Sequence, residues 1–136
     1  MTRRLKTILV VDDYRPDQTL TRLLLEDMDC ADHIQIAAHG AEALEYLTTR
    51  QDGEYPQPEL ICLDINMPVM DGWEFAAAYE KLPDEQTGEV LLMMLTSLDN
   101  AQALAAEKGL TAPAEFSVKP LTEKRMQAIL DRYFPD

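Results

Sequence analysis

Polar side chains that could carry chemistry follow short apolar runs at four places in the sequence. Asp12 and Asp13 come directly after one such run, and Asp64 comes after another. Thr96 and Lys119 stand at the ends of two later runs. Carboxylates are ligands for a divalent cation, while a hydroxyl and an amine can bind the oxygens of a phosphoryl group. These residue types favour phosphoryl chemistry, provided that the fold brings the five side chains together.

The apolar runs are predicted to be strands of a parallel sheet. The runs at 8–11, 60–63 and 90–95 are continuous rather than alternating, which is typical of strands buried on both faces. The predicted strands cover residues 7–11, 34–37, 60–63, 90–95 and 115–118. Segments with helical periodicity follow them, near residues 16–28, 41–47, 72–82, 100–108 and 122–133. This alternation predicts an α/β fold, with a doubly wound five-stranded parallel sheet and five helices.

Such a sheet would place the polar residues at one edge. Ligands of open α/β sheets bind beyond the carboxyl ends of the strands, and the first and third strands are expected to be neighbours at the switch point. Asp12, Asp13 and Asp64 would then need a compensating cation, and hard oxygen ligands suit Mg²⁺. An Asp carboxylate can also act as a nucleophile and become an aspartyl phosphate. Each residue alone could be a helix cap or a turn residue, but the full set at successive strand ends favours a Mg²⁺-dependent phosphoryl site.

Composition narrows the class of protein. The chain has 136 residues, of which 46% are hydrophobic, so it fits one domain with a buried core. It contains no apolar stretch of about 18 residues and no signal-peptide pattern, which predicts no membrane insertion and a cytoplasmic localisation. A net charge of −13 disfavours direct DNA binding. Cys30, Cys62, His33 and His39 lack the spacing of a metal site, a disulfide framework or a catalytic triad.

Four segments together resemble the receiver domains of two-component response regulators. They are ILVVDD at 8–13, LDINMP at 63–68 with Asp71-Gly72, LTS at 95–97, and FSVKP at 116–120. The resemblance extends over essentially the whole chain, and it implies the flavodoxin-like strand order 2-1-3-4-5. It also implies that residues 1–136 form a single receiver domain with no output domain.

The same resemblance implies a phospho-acceptor and a metal site. Asp64 would accept the phosphoryl group and would bind Mg²⁺ directly. Asp13 would be a second direct ligand, and the backbone carbonyl of Asn66 would be a third. Asp12 would act on the metal through a water molecule. Asp71-Gly72 would shape the loop that follows the acceptor.

Three further residues match the family's phosphoryl-binding and switch positions. Thr96 would donate a hydrogen bond to the phosphoryl group, and Lys119 would form an ion pair with it. Phe116 matches the switch aromatic, which in the family turns inward as Thr96 moves toward the phosphoryl group. The peptide between Lys119 and Pro120 would be cis. Phe116 replaces the Tyr of many members, and the apolar Leu98 cannot orient an attacking water.

The resemblance implies a signalling switch that catalyses its own phosphorylation and dephosphorylation, rather than an enzyme with an outside substrate. Its phosphoryl donor would be a sensor histidine kinase or a histidine phosphotransfer protein. The sequence does not identify its downstream protein partner. The exposed faces of the first and last helices are the expected docking surface. Residues 111–114 depart from the family pattern, which leaves the surface between the fourth helix and the fifth strand open.

Two alternatives stay open at the level of sequence. A phosphatase of the haloacid-dehalogenase kind also uses an Asp nucleophile, but DINMP at 64–68 does not match its D-x-D-x-[TV] pattern. Steady turnover of a phosphate ester would favour that reading. A degenerate receiver could serve only as a protein-interaction module, although the intact acid pair, Thr96 and Lys119 disfavour it. Absence of Mg²⁺ binding would favour the degenerate receiver.

Overall fold

The computed structural model describes residues 4–65, 70–95, 113–118 and 120–135. Five strands form one sheet: β1 (Leu5–Val11), β2 (Ala31–Ala37), β3 (Leu60–Asp64), β4 (Val90–Leu95) and β5 (Pro113–Val118). Their spatial order is β2-β1-β3-β4-β5, and every pairing is parallel. The predicted α/β fold and its flavodoxin-like strand order are confirmed.

Helices cover both faces of the sheet. The described part of the chain contains α1 (Arg15–Met28), α2 (Gly40–Thr48), α3 (Gly72–Glu80), α4 (Glu123–Tyr133) and a 3₁₀ turn (Asp84–Gln86). Helices α2 and α3 pack on one face, and α1 and α4 pack on the other. The helix predicted at 100–108 lies outside the described residues. No helix in the described ranges combines the length and hydrophobicity that a membrane crossing requires.

Alternating residues of β1 contribute to two separate cores. Leu9 and Val11 are fully buried in the core beneath α2 and α3. Ile8 and Val10 are buried in the core beneath α1 and α4. Because consecutive side chains of a strand point to opposite faces, a strand covered on both faces must be apolar at every position. This explains why residues 8–11 of β1 and residues 60–63 of β3 are continuous hydrophobic runs in the sequence.

Local capping fixes where the helices begin. His39 precedes α2, and its Nδ1 accepts the backbone N–H of Glu42 at 3.2 Å. The hydroxyl of Thr122 accepts the N–H of Arg125 at 3.1 Å at the start of α4. Pro16 lies in the first turn of α1, where its missing N–H costs no helical hydrogen bond. These caps satisfy donors that the first helical turn leaves unpaired.

Several element boundaries differ from the sequence prediction, and the start of β2 and the end of α3 show the physical reason. Strand β2 begins at Ala31 rather than at residue 34, because Ala31 already pairs with Leu5 of β1. Arg4 supports that extension by donating to the carbonyl of Ala31 at 3.1 Å. Helix α3 ends at Glu80 rather than near residue 82. The N–H of Lys81 donates to the carbonyl of Ala78, and the N–H of Leu82 donates to that of Tyr79, so the chain leaves the helix in a tighter turn. Both differences arise from backbone pairing, which hydrophobic periodicity does not report.

Candidate functional site

Three carboxylates meet at the carboxyl edge of the sheet. Asp12 and Asp13 directly follow β1, and Asp64 is the last residue of β3. The two strands are neighbours, with Val11 paired to Leu63. One oxygen from each of the three carboxylates lies within 4.8 Å of the other two. The structure therefore brings together the three acidic residues that the sequence analysis singled out.

The oxygen cluster fits a small divalent cation. Asp12 and Asp64 are each only 4% exposed, whereas Asp13 is exposed to solvent. Three carboxylates at this separation repel one another, and a cation between them would offset that repulsion. Two oxygens on opposite sides of a Mg²⁺ ion are separated by about 4.2 Å, twice the typical bond length of about 2.1 Å. The three carboxylate oxygens lie within 4.8 Å of one another, and all are the hard oxygens that Mg²⁺ prefers.

Asp12 is held in place by the start of α1. Its carboxylate accepts the backbone N–H of Tyr14 at 2.9 Å, and its backbone carbonyl accepts the side-chain amide of Gln18 at 2.5 Å. A carboxylate that accepts an N–H two residues ahead is an Asx turn, which Asp commonly forms. Neither contact was predicted from the sequence, although an Asp three residues before the first residue of a helix is a usable signal for the first of them.

The end of β3 is fixed by the start of α3. The N–H of Gly72 donates to the carbonyl of Ile65 at 2.9 Å, and the N–H of Ile65 donates to Met94 of β4 at 3.2 Å. A Cβ atom at Gly72 would lie 2.6 Å from the Cα atom of Ile65 and 2.9 Å from the carbonyl oxygen of Asp64. Only glycine permits this approach, so Asp71-Gly72 shapes the backbone after Asp64.

A capping box fixes the first turn of α3. The Asp71 carboxylate accepts the N–H of Glu74 at 2.8 Å, and the Glu74 carboxylate accepts the N–H of Asp71 at 3.1 Å. Reciprocal bonds of this kind stabilise the first turn of a helix. The backbone that carries Asp64 is therefore braced by β4 on one side and by α3 on the other.

Asp12 and Asp64 line a cavity of about 230 Å³ on the α1 and α4 side of the sheet. Its acidic lining is contributed by Asp12, Asp17 and Asp64. Its other lining residues come from the sheet, from α1 and from the connection into α4: Val10, Val11, Cys62, Met94, Leu20, Thr21, Pro120 and Leu121. A concave site beyond the strand ends is the usual ligand position in an open α/β sheet.

Phe116 lies on β5, one strand beyond β4, with its side chain half-buried against the α2 and α3 core. Its ring contacts that of Trp73, with ring centroids 6.4 Å apart and planes inclined by 45°. The sequence analysis did not predict this contact, because Trp73 and Phe116 are distant in the sequence and no local pattern links them.

Three of the predicted site residues lie outside the described part of the chain. They are Asn66, Thr96 and Lys119, and the predicted cis peptide at 119–120 and the Leu98 position share this status. The strands that precede two of them are in place, since β4 ends at Leu95 and β5 ends at Val118. The roles expected for these residues stay predictions.

Comparison with known proteins gives one consistent family. The family model described as "Response regulator receiver domain" matches residues 8–131. The response regulator Rcp1 of Synechocystis is 33% identical over 104 residues, covering 74% of this chain and 68% of Rcp1. The histidine-protein kinase BarA of Escherichia coli K12 is 31% identical over 132 residues, covering 95% of this chain but only 13% of the kinase.

A solved structure agrees with this fold. The receiver domain of the sensor histidine kinase PA1611 from Pseudomonas aeruginosa aligns with a TM-score of 0.71 at 20% identity, covering 94% of this chain and 96% of that domain. That domain is described with a magnesium ion coordinated in its active-site cleft. The likeness supports the fold of the present chain, whose own site is defined by its three carboxylates.

Proposed function

The chain belongs to the response regulator receiver domain family, and from this we propose that it accepts a phosphoryl group on Asp64 in a Mg²⁺-dependent reaction. The observation that carries the proposal is the meeting of Asp12, Asp13 and Asp64 within 4.8 Å at the carboxyl edge of the sheet. The chain would act as a signalling switch that supplies the catalysis for its own phosphorylation and dephosphorylation.

Asp64 is the acceptor that the local structure supports best. Its side chain is nearly buried, and the backbone on its carboxyl side is braced by β4 and α3. Asp12 is also buried, but its carboxylate is committed to the N–H of Tyr14. Asp13 is exposed and therefore less restrained. A fixed nucleophile is an advantage, because phosphoryl transfer is catalysed mostly by positioning and charge compensation.

The acidic residues would hold the metal in the proposed site. Asp13 and Asp64 would be direct ligands with the backbone carbonyl of Asn66, and Asp12 would act through water. The bound Mg²⁺ would compensate the negative charge of the phosphoryl oxygens. The magnesium described in the receiver domain of PA1611 supports this assignment by analogy.

The proposed reaction exchanges one phosphorus bond for another. An oxygen of the ionised Asp64 carboxylate attacks the phosphorus of a phosphohistidine, and a P–O bond forms as the P–N bond breaks. The electron pair of the broken bond stays on the donor nitrogen, and a proton from solvent leaves a neutral imidazole. Thr96 would donate to one phosphoryl oxygen, and Lys119 would pair with another.

The proposed donor is a sensor histidine kinase or a histidine phosphotransfer protein, and the proposed output is altered binding of a downstream protein. Phosphorylation would shift a two-state population through Thr96 and Phe116 rather than create a new fold. The alignment with a histidine kinase and with a response regulator supports a place in such a phosphorelay.

Acetyl phosphate with Mg²⁺ tests the proposal directly. We expect the wild-type chain to gain an acid-stable, base-labile phosphoryl group, and we expect Asp64→Asn to gain none. Chelation of Mg²⁺ should abolish labelling of the wild type. Asp84→Asn is a matched control, because Asp84 lies in the 3₁₀ turn away from the carboxylate cluster. Equal labelling of wild type and Asp64→Asn would refute the assignment.

A further inference from the structure

The ring of Phe116 is in contact with the only tryptophan of the chain. Both side chains are half-buried, and both pack against the core beneath α2 and α3. Their ring centroids are 6.4 Å apart and their planes are tilted by 45°. This distance lies within the range of favourable aromatic pairs. The contact joins the edge strand β5 to the first turn of α3.

The backbone at Phe116 is anchored independently of this ring contact. Its carbonyl accepts a guanidinium N–H of Arg125 at 2.8 Å, and its N–H donates to the Glu115 carboxylate at 3.3 Å. The Arg125 guanidinium also pairs with Glu115 at 3.2 Å, and the Glu115 side chain is only 18% exposed. These contacts tie β5 to α4. Because these contacts hold the backbone of β5, a movement of the Phe116 ring would be a rotation of its side chain.

Trp73 is attached to the backbone that carries Asp64. It directly follows Gly72, whose N–H donates to the carbonyl of Ile65 and where an added Cβ would lie 2.9 Å from the carbonyl oxygen of Asp64. The capping box of Asp71 and Glu74 fixes the same helical turn. The end of β3 is thus connected, through the first turn of α3, to the indole ring of Trp73.

We propose that Trp73 is the positioning residue for Phe116. It would link the end of β3, which carries Asp64, to the aromatic ring on β5. The inference rests on the proposed function, because it assigns Trp73 a part in the switching of Phe116. Phe116 has no hydroxyl, so ring contacts decide the position of its side chain. A residue whose contact differs between two states shifts the balance between them by that difference. Loss of one aromatic pair corresponds to roughly a two- to tenfold change in such an equilibrium.

Tryptophan fluorescence without any phosphodonor tests the contact itself. Phe116→Leu should shift the emission of Trp73 to longer wavelength, because the indole loses an aromatic neighbour and gains water. Tyr55→Leu is a matched control, since it removes an aromatic ring from the α2–β3 connection, where Tyr55 contacts Arg50. Equal emission from wild type and Phe116→Leu would overturn the inference whether or not the chain is phosphorylated.

Fluorescence with Mg²⁺ and acetyl phosphate tests the coupling, with phosphoryl incorporation measured in parallel. We expect the emission of the wild type to change on phosphorylation, and the emission of phosphorylated Phe116→Leu to stay constant. A constant wild-type emission despite full labelling would overturn the inference, as would a full response in Phe116→Leu. Failure of the wild type to be labelled would instead contradict the proposed function, so the two failures are distinguishable.

Substitution of Trp73 provides a readout that simple destabilisation does not give. Trp73→Leu should change the acetyl phosphate concentration for half-maximal phosphorylation by roughly two- to tenfold, and Trp73→Phe should restore most of the wild-type value. Thermal unfolding of both variants would show that they fold. If both variants fold and match the wild type in this concentration, Trp73 does not position Phe116.

Discussion

The carboxylates at the sheet edge differ in how firmly they are held. Asp12 is buried and hydrogen-bonded, Asp64 is buried at a braced strand end, and Asp13 is exposed. Their meeting could be predicted from the sequence, because residues that follow neighbouring parallel strands share one edge. The bracing of Asp64 could not be predicted, since it depends on the packing of α3 against the end of β3, whereas the position of Asp12 before α1 is a signal for its bond with Tyr14.

Asp13→Asn separates metal binding from folding. Asp13 is exposed, so we expect the variant to fold as well as the wild type, and relief of like-charge repulsion favours its metal-free form. Removal of one charged ligand should lower Mg²⁺ affinity by about tenfold or more. Titration calorimetry with Mg²⁺ measures the affinity, with Asp84→Asn as the charge-matched control. Unchanged Mg²⁺ affinity in Asp13→Asn would exclude Asp13 as a ligand.

Cys62, which is buried in the core beneath α1 and α4, should be unreactive in the native state. Burial raises the pKa of Cys62 to about 12, and burial also raises the pKa of Cys30. At pH 8 the thiolate fraction of Cys62 is about one in ten thousand, and the thiolate is the nucleophilic form. Alkylation followed by mass spectrometry should show Cys62 protected until denaturant unfolds the chain. Rapid alkylation of Cys62 without denaturant would contradict this packing.

At the scale of elements, the contact between the end of β3 and the start of α3 fixes the backbone around Asp64. The sequence predicted both elements from periodicity and turn residues, and it placed Asp71-Gly72 in the loop between them. It could not show that Gly72 lies against the backbone of Ile65, because a close approach depends on the packing of a helix on a strand. The start of β2 was missed for a similar reason, since pairing with Leu5 extends the strand.

Gly72→Ala should disturb the end of β3, which carries Asp64. The added Cβ would lie 2.6 Å from the Cα atom of Ile65, so α3 or the end of β3 must shift. We expect a loss of about 1–3 kcal/mol in the free energy of unfolding, as in other overpacked sites. Urea unfolding measures the loss, and acetyl phosphate labelling should be slower than in the wild type.

Gly53→Ala offers the contrast for that experiment. Gly53 has a φ of 86° but has open space around it, so its cost is confined to the backbone of the α2–β3 connection. Gly53→Ala should leave the rate of labelling unchanged. If Gly72→Ala matches the wild type in both its free energy of unfolding and its rate of labelling, the contact between Gly72 and the end of β3 is not tight.

At the scale of the whole molecule, Asp64 sits between the two covered faces of the sheet. The cavity beside it opens on the α1 and α4 side, whereas the contact of Phe116 with Trp73 lies on the α2 and α3 side. In the proposed function, Asp64 would meet a phosphoryl donor on the α1 and α4 side and would influence the aromatic contact on the α2 and α3 side. The strand order that creates this arrangement followed from the alternation of strands and helices in the sequence together with the family resemblance.

Chemical mapping of the phosphorylated residue tests whether Asp64 is the acceptor. The chain would be treated with Mg²⁺ and acetyl phosphate, reduced with borohydride and sequenced by mass spectrometry. Borohydride converts an aspartyl phosphate into homoserine, so the proposed function predicts homoserine at position 64 and unchanged aspartate at positions 12 and 13. Homoserine at either of those positions, or an unmodified Asp64 in a chain that carries the phosphoryl group elsewhere, would contradict it.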